Sequence, residues 1–237
     1  MHHAGEPIIV DRSQWIAFAG LLFFIAALTL ILFAIDRRFL RLLAGDVNPL
    51  PIVTIVLFVG ALVLWWLIRQ GWFVMLGEDL SKGLGWAIIA ALVFGVVIIL
   101  VDRQAVYPAD INLSWPAAWL YYPVMGFSAQ VVFHLVPLAI LLTLLTSPLI
   151  GLSFERAILP TLLLVAMFEP VFQALLGTSD SLPMWAKVYV TVHILLINIS
   201  QLLIFRKHGF IPAYVLRLVY YFIWHILWGH FRLELLF

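Results

Sequence analysis

Three segments in the last third of the chain set polar and ionisable side chains among residues that otherwise suit hydrocarbon. AMFEPVFQALL carries Glu169 and Gln173, VYVTVHILLINISQ carries His193 and Asn198, and IPAYVLRLVYYFIWHILWG carries Arg217, Tyr221 and His225. A carboxyl group, imidazoles and an amide are residue types that can move protons or hold a polar ligand. Such groups are costly in lipid and face a bundle interior or a watery cavity. Glu169, His193 and His225 are therefore the candidate catalytic residues, and Gln173, Asn198, Arg217 and Tyr221 the candidate polar interior.

Spacing sorts these residues onto helix faces. Gln173 lies one turn beyond Glu169, and His193 one turn beyond Tyr189. Arg217, Tyr221 and His225 form one stripe that drifts about 40° per step. An arginine inside a span needs a partner, and Glu169 is the obvious one, so the two should meet inside the bundle with His193 close by. A purely structural reading stands beside the chemical one: the Glu–Arg pair only pins two helices, and His193 only hydrogen-bonds across them. Pro170 removes a backbone donor, and its kink would open room for a ligand or water. Gln130 and His134 also lie one turn apart, while His230 and Arg232 fall near the end of the last span and are expected at the membrane interface. A third reading makes His134, His193 or His225 the axial ligand of a haem or a chlorophyll; the cofactor is otherwise unspecified.

The elements that must position these groups are membrane helices. The chain has 237 residues, 65% hydrophobic and 11% charged, with a mean hydropathy of +1.13. A soluble domain is roughly 45–50% apolar and about 25% charged, so lipid must be the solvent here. Net charge is +1 with scattered basic residues, which implies no nucleic-acid partner. The absence of cysteine excludes disulfides, thiolate metal sites and a cysteine nucleophile. MHHAGEPIIV is not basic, and the apolar run after it is too long for a signal peptide, so it is expected to stay as a first membrane helix.

Clear spans are expected over residues 15–35, 51–68, 84–101, 156–176, 185–205 and 212–229, with GWFVMLGEDLSKG as a loop or surface helix. Residues 115–151 carry no charge and are punctuated by Pro116, Pro123, Gly126, Pro137 and Pro148. They read either as a surface helix, WPAAWLYYPVMG, followed by one span, or as a tight pair of spans. The fold class is thus an all-α polytopic transmembrane bundle of seven to eight spans. Eight is preferred, because it puts Arg37, Arg38 and Arg41 on the same, cytoplasmic side as Arg206 and Lys207. The chain forms one domain, with N-terminal spans over 1–151 and polar-cored helices over 152–237. Gly60, Ala61, Ala90, Ala91 and Gly95 are expected as helix-packing contacts.

The last third resembles the CAAX-protease and bacteriocin-processing family of intramembrane proteases, also called Abi proteins. That family has a Glu-Glu-x-x-x-Arg helix, a Phe-x-x-x-His helix, and a basic-basic-x-Gly turn leading to a His-x-x-x-Asn helix. FEPVFQALL is similar to the first motif, in register at Glu169 and Phe172, and YVTVH to the second through Tyr189 and His193. FRKHGFIPAYVLRLVYYFIWH is similar to the turn and the closing helix. The chain departs from the pattern at Phe168, where the family has its water-activating glutamate, and at Gln173, where it has arginine. Counted from Gly209, the closing histidine and asparagine fall on Arg217 and Tyr221; if His225 is taken instead, Gly229 replaces the asparagine. Gly209 comes only sixteen positions after His193, too few for the extra helix usual there. The resemblance with these losses implies a non-catalytic protein of this fold. It would act as a structural, assembly or binding subunit of a membrane complex, in contact with lipid and other membrane-protein subunits. A bacterial or archaeal cytoplasmic membrane is its expected location. The alternative is an active glutamic-type intramembrane protease with Glu169 as base and His193 and His225 as oxyanion or substrate ligands.

Overall fold

In lipid every backbone N–H and C=O must be satisfied within the protein, which leaves a chain of this composition little choice but helices. The computed structural model describes residues 11–35, 49–113, 115–176 and 182–237, and these are helical with no strand among them. Seven helices are long and apolar enough to cross a membrane: α1 (Arg12–Ile35), α2 (Pro49–Arg69), α3 (Leu80–Ala105), α4 (Ala117–Thr146), α5 (Phe154–Leu175), α6 (Met184–His208) and α7 (Phe210–Leu236). The protein is an all-α integral membrane bundle.

The uncharged stretch resolves into a single crossing, α4, of 30 residues. The preference for eight spans therefore fails, and the count among the described residues is seven. WPAAWLYYPVMG is not a surface helix either, because Ala117, Ala118, Tyr121, Tyr122, Val124 and Gly126 are all buried. Pro137 does not break the helix. It follows a π turn, Gln130–Leu135, where the backbone has already left the α register. The span ends at Thr146, just before Pro148, in a turn that closes with Gly151 at φ +70°.

Two ends of the bundle can be told apart. At one, the residues after α2 form the loop of the two forms expected, and it is packed into the protein: Phe73 and Met75 are buried, and its backbone is bonded to other elements. Gln14 of α1 donates to the Leu76 carbonyl at 2.7 Å and accepts from Met75 N and Leu76 N at 2.7 and 2.9 Å. Gly77 N donates to His208 O, while Phe210 N and Ile211 N donate to Val74 O and Met75 O. The α6–α7 turn depends on Gly209, at φ +94°, where an added Cβ would come within 2.6 Å of the Met75 carbonyl oxygen. The start of α1 thus lies beside the end of α6. Arg37, Arg38 and Arg41, on which the orientation argument rested, fall outside the described residues.

The middle of the bundle is close-packed through small residues, as expected for Gly60 and Gly95. A Cβ on Gly60 would strike Val131 of α4 at 2.5 Å, and one on Gly95 would strike Ile223 of α7 at 2.6 Å. Ala91 is fully buried beside them on α3. The first contact brings α2 and α4 together and the second α3 and α7.

Candidate functional site

Arg217 of α7 is 3% exposed, and acceptors surround its guanidinium. Its Nη1 and Nη2 donate to the two oxygens of Glu169 at 3.1 and 2.8 Å, a bidentate pair between α7 and α5. Nη1 also reaches the Tyr221 hydroxyl at 3.3 Å, and Nη2 reaches Asn198 Oδ1 at 3.2 Å. Gln201 Oε1 accepts from Nη2 at 2.9 Å and from Nε at 3.3 Å. The expected meeting of Glu169 and Arg217 is there. Gln201 was not foreseen; its signal was the spacing of three from Asn198, which puts both amides on one face of α6.

The local backbone explains how Glu169 is aimed. α5 is two helical segments, Phe154–Ala166 and Phe168–Leu176, joined at Met167. Pro170 has no N–H to offer the carbonyl four residues earlier, that of Ala166. Asn198 Nδ2 fills the gap by donating to Ala166 O at 3.3 Å. One asparagine therefore satisfies both the arginine and the carbonyl that the proline leaves open. The Pro170 kink falls where the sequence places it, and it turns Glu169 inward while Phe168 stays 47% exposed on the outer face.

The seven residues singled out from sequence, Glu169, Gln173, His193, Asn198, Arg217, Tyr221 and His225, all line one cavity of about 600 Å³. His193 is held at both nitrogens: Nδ1 lies 2.8 Å from the Tyr189 hydroxyl and Nε2 3.3 Å from the Tyr220 hydroxyl. Phe94 closes over it edge-on at 5.4 Å. His225 sits in a second π turn, Phe222–Trp228, with Nδ1 2.6 Å from Asn112 Oδ1 and its ring stacked on Tyr122 at 4.5 Å. A π turn winds less per residue than an α-helix, which offsets the drift of the stripe and keeps His225 on the cavity side. His134 pairs with Gln130 at 2.5 Å on α4 and faces the Glu169–Arg217 pair from behind. An axial haem or chlorophyll ligand needs an uncommitted imidazole nitrogen; His193 offers none, whereas His134 Nε2 is buried with no hydrogen-bond partner among the described residues. Among the described residues, no three of His, Cys, Asp and Glu come together to hold a metal ion.

A second buried ion pair lies at the other end of α7 and corrects the expectation for Arg232. Arg232 is fully buried within the protein, as is Asp102, which lies just past the end of the third expected span. Asp102 Oδ2 accepts from Arg232 Nε at 2.8 Å and from Trp228 Nε1 at 2.6 Å; Oδ1 accepts from Arg232 Nη2 at 2.9 Å and Tyr107 N at 2.9 Å. Arg232 also donates to the Tyr107 and Pro108 carbonyls at 2.6 and 2.9 Å. α7 runs beyond residue 229 to Leu236 to make this possible, and Trp228 and Arg232, four apart, grip the same carboxylate. His230, on the opposite face, is exposed.

No family model, no curated protein and no solved structure matches the chain.

Proposed function

We propose that this integral membrane protein is a non-catalytic relative of the CAAX-protease and bacteriocin-processing family whose polar interior serves binding, as a subunit of a membrane complex. The observation that carries this reading is the state of Glu169. Both of its oxygens accept from Arg217, so the carboxylate is engaged as the counter-ion of a buried guanidinium. The other parts of a hydrolase are spent or missing. Arg217 occupies the position of the family's closing histidine, and its donors all go to protein acceptors rather than to the place where an oxyanion would form. Phe168, at the position of the water-activating glutamate, faces outward, so no second carboxylate stands beside Glu169 on α5. What survives is a cavity of about 600 Å³ walled by hydrogen-bonding and apolar side chains, a size that suits a small ligand.

The test is a cleavage assay on reconstituted protein, with a prenylated CAAX peptide and a transmembrane peptide as substrates. The expected result is no product above background from either the wild type or Glu169→Gln. Product from the wild type that disappears in Glu169→Gln overturns this reading in favour of a glutamic-type protease.

A further inference from the structure

Four residues of the cavity wall, Tyr107, Pro108, Asp110 and Ile111, belong to no crossing helix. They lie in a strap, residues 106–113, that follows the end of α3. Asp110 and Ile111 line the cavity and are also exposed, so the cavity meets the surface at the strap.

The strap is held unevenly along its length. At its start, Tyr107 N donates to Asp102, and the Tyr107 and Pro108 carbonyls accept from Arg232. Both partners are fully buried. At its far end, Leu113 N donates to the Tyr122 hydroxyl at 3.1 Å, and Asn112 Oδ1 lies 2.6 Å from His225 Nδ1. Between the two ends, Ala109, Asp110 and Ile111 have no hydrogen bond outside the strap among the described residues.

The far end also carries a cost. Asn112 Nδ2 is buried with no hydrogen-bond partner among the described residues. Turning the amide over only exchanges its two polar atoms: one pairs with His225, and the other stays buried and unpaired. Lifting the strap hands that atom to water, which offsets part of the cost of breaking the two bonds. His225 lines the cavity as well, so one side chain both faces the cavity and holds the strap.

We propose that residues 109–113 are a lid over the cavity, hinged where Arg232 holds the Tyr107 and Pro108 carbonyls and latched where His225 and Tyr122 hold Asn112 and Leu113. A ligand then enters by the breaking of two hydrogen bonds at the latch, with the membrane helices left packed and the Asp102–Arg232 pair intact. Access is the same question whether the cavity binds or cleaves. Product in the cleavage assay therefore bears on the earlier reading, and thiol reactivity inside the cavity bears on the lid.

The chain has no cysteine, so an introduced thiol reports without interference. Ile98 lines the cavity from α3 at 4% exposure. The experiment follows the reaction of Ile98→Cys with a water-soluble methanethiosulfonate, in the full chain held in lipid nanodiscs, by the mass of the peptide that contains residue 98. Slow but complete reaction is expected. Adding Tyr122→Phe takes the acceptor from Leu113 N and keeps the ring that stacks on His225, and it speeds the reaction by about three- to tenfold, the worth of one hydrogen bond. A tether works in the opposite direction. A Cβ on Gly229 would lie 3.0 Å from the Asn112 Cβ, so a small outward shift brings Asn112→Cys and Gly229→Cys to disulfide distance. Oxidising that pair slows the reaction at residue 98 by at least about tenfold, more than one hydrogen bond is worth, and reduction restores it. Equal rates with the pair oxidised and reduced, or no change with Tyr122→Phe, would show that the cavity is entered elsewhere and overturn the proposal. So would a thiol at residue 98 that never reacts, since the lid would then not open, or a pair that does not oxidise, since Asn112 would then not rest on Gly229.

Discussion

At the scale of single residues, the interior is organised by groups left without partners and by the side chains that supply them. Asn198 is the clearest case, because it meets two needs that arise on different helices. One is the Arg217 guanidinium and the other the Ala166 carbonyl that Pro170 cannot serve. Asn198→Ala should cost about 1–3 kcal/mol, the penalty for leaving buried polar groups unsatisfied. Pro170→Ala restores an N–H at the carbonyl's natural partner position, so Asn198→Ala should cost less in that background than in the wild type. Unfolding midpoints of the four proteins in mild detergent measure this coupling; strict additivity would refute the account of the kink. The polar positions on the cavity wall were legible in the sequence because a Glu, a His or an Arg in a run of Leu, Val and Phe stands out by composition alone. Gln201 and Tyr220 were not, because an amide and a phenol stand out less than a charge does. Arg232 was misread and Asp102 passed over because charges at span ends ordinarily face water. Only the fold brings those two ends together.

At the scale of elements, span positions follow from hydropathy, but breaks in helices do not follow from proline alone. Pro170 interrupts α5 where no alternative backbone register relieves it, while Pro137 passes through α4 next to a π turn. The two π turns carry His134 and His225, so they set which way both imidazoles point. The α6–α7 turn is a different matter, since its geometry is tied to one residue type. Gly209→Ala forces a side chain into a backbone conformation that L-residues rarely adopt and against the Met75 carbonyl, which should destabilise by about 1–3 kcal/mol from strain alone. The same midpoint measurement checks it, with Gly85→Ala, where a Cβ meets nothing, as the control expected to stay near wild type. A Gly209 variant as stable as that control would mean the turn can re-form elsewhere.

At the scale of the whole molecule, the bundle has an apolar exterior for lipid and two buried ion pairs that clamp α7 from both sides. Glu169–Arg217 ties it to α5 near mid-span, and Asp102–Arg232 ties its end to α3. The measurement that most directly tests the central claim, that Glu169 serves to hold Arg217, is a double-mutant cycle on unfolding free energy. It compares the wild type with Glu169→Leu, Arg217→Met and the double variant. Each single replacement strands a buried charge and should cost about 3–5 kcal/mol, whereas the apolar double replacement should recover most of that loss. Single variants as stable as the wild type would contradict the claim and return Glu169 to the role of a free carboxylate.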